Sequence, residues 1–71
     1  MQRFLRDRSS GLFFNGDDGW TPNFAEARGF ADTNSLLKAA LQTQRRDLEE
    51  ILMFGQVPSE YDVALPILPR S

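Results

Sequence analysis

Cysteine is absent from this chain of 71 residues, and that absence restricts how so short a chain can be stabilised. A domain of this size buries only about 60% of the surface that its unfolded chain exposes, so many small domains depend on disulfides or metals. Histidine, the commonest metal ligand, is also absent. We therefore expect apolar packing to stabilise the fold, and six phenylalanines, one tryptophan and one tyrosine supply large side chains for it.

The start of the sequence predicts a β-hairpin. Residues 4–6 and 12–14 are short strand-like runs. The segment 7–11 between them, Asp-Arg-Ser-Ser-Gly, is typical of a hairpin loop in which the glycine adopts a positive φ.

Two helices are predicted next. The shorter one covers 22–27, with Thr21 as its N-cap and a proline at its first position. The longer one covers 33–46 and is capped by Asp32 or Thr33. Its apolar residues recur at helical spacing, namely Leu36, Leu37, Ala40 and Leu41.

The segment 47–54 has two interpretations. It either continues the long helix or, after a break near Asp47, forms a buried strand over 50–54. Periodicity cannot separate the two for such a short apolar run. We favour the strand, in part because of the resemblance described below.

The C-terminal stretch has the alternating pattern of a strand with one apolar face. The apolar positions are Tyr61, Val63, Leu65 and Ile67. Pro66 and Pro69 have no N–H to donate to a sheet, so a central strand is excluded. We therefore expect residues 57–71 to form an extended tail or an edge strand.

Together these elements predict a single small α+β domain over residues 1–71. Its antiparallel sheet consists of the N-terminal hairpin and one or two later strands, packed against one main helix. The predicted core comprises Phe4, Leu12, Phe14, Trp20, Phe30, Leu37, Ala40, Leu41, Ile51 and Met53.

Several short motifs occur together along the chain. They are 4–7 (FLRD), 10–14 (SGLFF), 20–21 (WT), Ala27, Phe30 and 61–63 (YDV). In these motifs the chain resembles small uncharacterised bacterial proteins that share the pattern. The resemblance covers most of the chain and implies a hairpin, a Trp-Thr turn, a helix, a strand and an extended tail. None of the motifs is catalytic, so the resemblance implies no activity.

The composition argues against most enzymatic mechanisms. Ser9 and Ser10 have no histidine to activate them. A chain this short can scarcely enclose the pocket of ~300 Å³ that a catalytic carboxyl would need. The acidic segment 15–19, Asn-Gly-Asp-Asp-Gly, lacks the ligand spacing of a calcium loop and is better explained as a solvated turn. We therefore expect no enzymatic activity, no cofactor and no metal.

Large apolar side chains exceed what so small a core can hold, and this predicts a protein–protein interaction module or accessory subunit. Its partner would be another protein or a second copy of the chain. The candidate interface residues are Phe13, Phe24, Phe54, Tyr61, Val63, Leu65 and Leu68. The alternative is weak nucleic-acid binding through Arg3, Arg6 and Arg8 on the hairpin, although the formal net charge of -2 does not favour it.

No apolar stretch is long enough for a signal peptide or for a membrane span. The longest uninterrupted apolar run is 51–54, against the ~20 residues that cross a bilayer. We therefore expect a cytoplasmic protein that does not associate with membranes.

Overall fold

The computed structural model describes residues 1–16, 19–43 and 45–67. Its elements are β1 (Gln2–Asp7), β2 (Phe13–Phe14), β3 (Trp20–Thr21), α1 (Thr33–Thr43), β4 (Leu48–Met53) and β5 (Val63–Ile67). Within this part of the chain the strands form one antiparallel sheet in the order β3-β2-β1-β4-β5, and α1 packs on one side of it. The predicted α+β class is confirmed.

The predicted hairpin joins β1 to β2. Gly11 adopts a φ of 76°, and its N–H donates to the carbonyl of Asp7 at 2.8 Å. The Asp7 carboxylate in turn accepts hydrogen bonds from the N–H of Ser9 at 3.0 Å and from its hydroxyl at 2.7 Å. Backbone and side chain of one aspartate therefore close the loop.

The short helix predicted over 22–27 is a single 3-10 turn, Phe24–Glu26, and its cap is Asn23 rather than Thr21. Asn23 accepts a hydrogen bond from the N–H of Ala25 at 3.0 Å. Thr21 is not available as a cap because it belongs to β3, where it pairs with Phe13. The helix prediction was therefore too long and began too early.

The main helix begins as predicted and is shorter than predicted. Asp32 is its N-cap, because its carboxylate accepts a hydrogen bond from the N–H of Ser35 at 2.8 Å. That hydrogen bond holds the pKa of Asp32 below its usual value. The described helix ends at Thr43 instead of residue 46, and the Thr43 hydroxyl there donates to the carbonyl of Ala40 at 2.8 Å.

The strand interpretation of the segment 47–54 is confirmed, although β4 covers Leu48–Met53 rather than the predicted 50–54. β4 pairs with β1 along its whole length, from Leu48 opposite Asp7 to Met53 opposite Gln2. β5 pairs with the other side of β4 and is an edge strand, as the prolines predicted. The predicted tail also includes residues 68–71, which lie outside the described residues.

The core lies on both sides of the sheet. On the helix side the buried residues are Leu5, Phe14, Leu36, Ala40 and Leu48. On the opposite side they are Phe4, Ile51 and Met53, with Phe13, Phe24 and Ala27 packed against them. Because both sides are covered, the consecutive residues of β1 and β4 are buried together, which a one-sided sheet would not allow.

Two residues of the predicted core are in fact at the surface. The side chains of Leu37 and Leu41 are 37% and 76% exposed, whereas Leu36 is completely buried. The helix is therefore rotated relative to the prediction, with Leu36 and Ala40 directed at the sheet. Three further predicted core residues, Leu12, Trp20 and Phe30, are half-buried.

Candidate functional site

On the helix side of the sheet, the edge strand β5 is less covered than β1 and β4. Side chains of directly opposite residues in a sheet lie on the same face, and the face alternates along each strand. Leu48 belongs to the helix-side core and lies opposite Ile67. Two residues before Ile67 on β5, the same face carries Leu65. Two residues before that, it carries Val63, which lies opposite Leu52 of β4.

The exposed fractions of the side chains show which part of this face is open to solvent. Ile67 packs against the helix-side core, but Val63 is 39% exposed and Leu65 is 44% exposed. Leu52, on the neighbouring strand β4, is half-buried. The helix packs mainly over β1, where Leu36 and Leu5 belong to one core cluster. On β4 the helix-side residues Leu48 and Glu50 are also buried, so the open part of this face lies on β5.

The exposed leucines of the helix border the same area. The Thr33 hydroxyl donates to a carboxylate oxygen of Glu50 on β4 at 2.9 Å, so this flank of α1 faces the β4–β5 half. Leu37 and Leu41 follow Thr33 at intervals of four residues and lie on the same flank. We call Leu37, Leu41, Leu52, Val63 and Leu65 the apolar strip.

The predicted interface residues are divided between the two sides of the sheet. Val63 and Leu65 belong to the apolar strip, and Phe54 and Tyr61 are also exposed. Phe13 and Phe24 instead pack against the core on the opposite side, where the Phe13 ring meets the Phe4 ring edge-on with 6.1 Å between centroids. Leu68 lies outside the described residues.

The remaining members of the strip were missed by the sequence interpretation. Leu37 and Leu41 were assigned to the core, and Leu52 was assigned no role. The i, i+4 spacing of Leu37 and Leu41 was visible in the sequence, but it is also the spacing of a buried helix face.

The free edge of β5 is poorly suited to adding another strand. Pro66 lies opposite Glu49 but has no N–H, so the two residues cannot form a hydrogen-bonded pair. Hydrogen-bonded and non-hydrogen-bonded pairs alternate along antiparallel strands, so the backbone groups of Pro66 and Ala64 point away from β4. The N–H of Asp62 is already used by the carbonyl of Ser59 at 3.2 Å. Over 62–66 this edge therefore offers the N–H of Ala64 as its one free donor, which protects it against strand addition.

The three arginines considered for nucleic-acid binding are all near carboxylates. Arg6 Nε donates to Glu49 Oε2 at 2.7 Å, and Arg8 Nε lies 4.0 Å from the other oxygen of Glu49. Arg3 Nε lies 2.7 Å from Glu50 Oε2, although its N–H is not aligned for a hydrogen bond. Two of the acids, Glu49 and Glu50, are buried in β4, so these arginines neutralise charges of the fold itself.

A third buried carboxylate is paired at the far end of the helix. Asp7 forms an ion pair with Arg45, whose guanidinium carbon lies 4.2 Å from the centre of the Trp20 ring. Burial raises the pKa of Asp7, but hydrogen bonds from Ser9 and Arg45 outweigh it, so the pKa lies below its usual value. This carboxylate is ionised near neutral pH and is not suited to acid–base catalysis.

A groove of about 610 Å³ lies at the beginning of β1. It is larger than the sequence led us to expect but is open to solvent. Its lining includes three aromatic rings, those of Phe4, Phe24 and Phe30, and one charged side chain, that of Arg3. Its described lining contains no carboxylate, hydroxyl or amine side chain that could serve as nucleophile, acid or base.

No group of three or more acidic side chains in the described ranges is placed to hold a metal ion, and Asp17 and Asp18 of the predicted acidic turn lie outside those ranges. Of the helices described, none is long and apolar enough to span a bilayer.

The resemblance to small bacterial proteins stays a prediction. Compared with protein-family models, curated proteins and solved structures, the chain matches none of them.

Proposed function

We propose that this chain is a small cytoplasmic, non-enzymatic protein–protein interaction module or accessory subunit that binds its partner through the apolar strip. The observation that carries the proposal is the exposure of Val63 and Leu65 on β5 together with that of Leu37 and Leu41 on the helix. Leu41 alone is 76% exposed at the border of this area. Several large apolar side chains exposed on one side of a small protein are typical of an interaction site.

The energetics favour a covered strip. Complete burial of a fully exposed leucine or valine side chain contributes ~1.5–3 kcal/mol. Leu37, Leu41, Val63 and Leu65 are 37%, 76%, 39% and 44% exposed, so each would gain a part of that on burial. A domain of 71 residues has a net stability of only a few kcal/mol, so further burial against a partner is a large gain for it.

Two features support a non-enzymatic role. The buried carboxylates Asp7, Glu49 and Glu50 all have arginine partners. The groove near β1 is open, and its described lining has no carboxylate or hydroxyl side chain. A catalytic site needs reactive groups in a place from which water can be excluded, and neither feature supplies that combination.

The same ion pairs make nucleic-acid binding the weaker proposal. An arginine binds phosphate well when its guanidinium is free to form paired hydrogen bonds. Arg3 and Arg6 already lie 2.7 Å from carboxylate oxygens of β4. Binding to phosphate would therefore have to break contacts that hold the sheet together.

Affinity capture with matched variants tests the proposal. Leu41→Glu places a charge on the apolar strip, whereas Gln42→Glu adds the same charge at the next position, about 100° around the helix. We expect immobilised wild-type protein and Gln42→Glu to retain the same protein partner from a lysate of the source organism, and Leu41→Glu to lose it. Retention of identical proteins by all three would contradict the proposal.

A further inference from the structure

We infer that β5 is a detachable strand, which leaves β4 as a unit while β1, β4 and α1 stay folded. Its departure uncovers the edge of β4, which the closed form conceals. Single segments of a folded protein can open in this way when they contribute little to the core. The burial of β5, its connection to β4 and its register against β4 all favour such an opening.

β5 contributes little to the core. Of the described residues that are buried in the two core clusters, none belongs to β5. Four of its side chains are exposed, and Ile67 packs partly against the helix-side core. In β4, by contrast, every residue except Leu52 is buried. Departure of β5 therefore takes one partly buried side chain out of the core and leaves the buried residues packed against one another.

The connection between β4 and β5 leaves room for this movement. Residues 54–61 are all exposed, and Asp62 is half-buried. Tyr61 N donates to Ser59 Oγ at 3.2 Å, and Ser59 N donates to a carboxylate oxygen of Asp62 at 3.0 Å. These hydrogen bonds form a local turn and do not join the connection to the sheet. The connection can therefore act as a hinge.

Backbone hydrogen bonds hold β5 in place, and they fall on alternate residues of β4. The pair of Pro66 with Glu49 is not hydrogen-bonded, so the hydrogen-bonded pairs with β5 lie on either side of it. The residues of β4 that form them, here called β5-facing, are Leu48, Glu50 and Leu52. The intervening β1-facing residues, which pair with β1 instead, are Glu49, Ile51 and Met53.

The opening changes the edge that the sheet presents. In the closed form the outer strand is β5, whose edge is poor in free N–H groups because of Pro66. In the open form the three β5-facing residues present unpaired N–H and carbonyl groups, and β4 contains no proline. Extended peptides add to edges of this kind, and proteins commonly shield them. β5 is therefore a removable guard over the edge of β4.

Amide hydrogen exchange of the full chain, resolved by residue with NMR, tests the inference. The two sets of amides lie on one strand but depend on different neighbours. If β5 opens alone, Glu50 exchanges through that opening, whereas Glu49 and Ile51 exchange only when the whole domain unfolds. We expect the protection factor of Glu50 to be lower than those of Glu49 and Ile51 by ~10-fold or more.

Two substitutions separate the opening of β5 from global unfolding. Ile51→Val weakens core packing that both the closed and the open forms contain. It should accelerate exchange at Glu49 by about 5-fold and leave Glu50 within about 2-fold of wild type. Ile67→Ala weakens a contact that only the closed form contains. It should accelerate both Glu49 and Glu50 by ~10-fold, because the open and the unfolded chains equally lack that contact.

Equal protection of Glu49 and Glu50 in the wild type would overturn the inference, since β5 would then separate only when the whole domain unfolds. Equal acceleration of the two amides by Ile51→Val would overturn it as well. Both results come from the wild type and a conservative variant, so the test holds even if Ile67→Ala does not fold.

Discussion

Replacement of Asp7 by asparagine is the sharpest test of how the fold is held together. Asp7 closes the hairpin by accepting two hydrogen bonds from Ser9, and it also pairs with Arg45 at the end of the helix. The carboxamide keeps one oxygen that can still accept from Ser9. It loses the charge that attracts Arg45, and one substitution thereby disconnects the helix end from β1.

The size of the loss follows from the exposure of the two partners. Removal of one member of a fully buried ion pair costs ~3–5 kcal/mol. Arg45 is 39% exposed, so water compensates part of that cost and we expect Asp7→Asn to lose about 2 kcal/mol. Asp47→Asn is the control, because its partner Arg8 is 3.8 Å away and both side chains are about half exposed. We expect the control to lose at most ~0.5 kcal/mol.

The assay is urea unfolding of both variants and the wild type at pH 7 and at pH 3. The pKa of Asp7 is lowered in the folded state from the usual 3.8, so its stabilising effect is complete above that value. The effect is lost as the pH falls through the folded-state pKa, so the deficit of Asp7→Asn should shrink in acid. Equal losses of unfolding free energy for the two variants at pH 7 would refute the reasoning. So would a deficit of Asp7→Asn that is as large at pH 3 as at pH 7.

Two further predictions concern the helix and the arginines. Leu36→Ala should lower the free energy of unfolding by ~2–5 kcal/mol, and Leu37→Ala by ~1 kcal/mol or less, because only Leu36 is fully buried; equal losses in urea unfolding would contradict the assigned helix rotation. A fluorescent single-stranded oligonucleotide at low salt should bind with a dissociation constant weaker than ~10⁻⁴ M, because Arg3 and Arg6 are paired. Tighter, salt-sensitive binding in an anisotropy titration would favour the nucleic-acid alternative.

The local signals of the sequence predicted the order of the elements except for β3, because Thr21 was expected to cap a helix. Gly11 at the hairpin, Asp32 before the helix and Pro66 in the last strand all correspond to features of the structure. Each of these signals acts within a few residues of its own position. The signal for β4 was weaker, because Glu49 and Glu50 interrupt its apolar pattern.

Those two glutamates show why other features of the fold could not be predicted from the sequence. They are buried because Arg6 and Arg3 lie on the neighbouring strand, more than forty residues earlier in the chain. The rotation of the helix has a similar cause. Either Leu36 or Leu37 could have faced the core by periodicity, and the sheet beneath the helix decides between them.

The apolar strip depends on the same long-range arrangement. Val63 and Leu65 were expected at an interface, but their exposure depends on a helix that packs over β1 and stops short of β5. Sequence spacing carries no information about which half of a sheet a single helix covers. The strip therefore emerges only from the assembled fold.

Solvent accessibility of the leucine and valine methyl groups tests the central claim most directly. Relaxation of these methyl signals by a soluble nitroxide would be measured in dilute protein. We predict that the signals of Leu41, Val63 and Leu65 relax strongly, while the signals of the buried Leu36 are shielded. Shielding of all four already in the dilute monomer would contradict the account, because the strip would then belong to the interior of one chain.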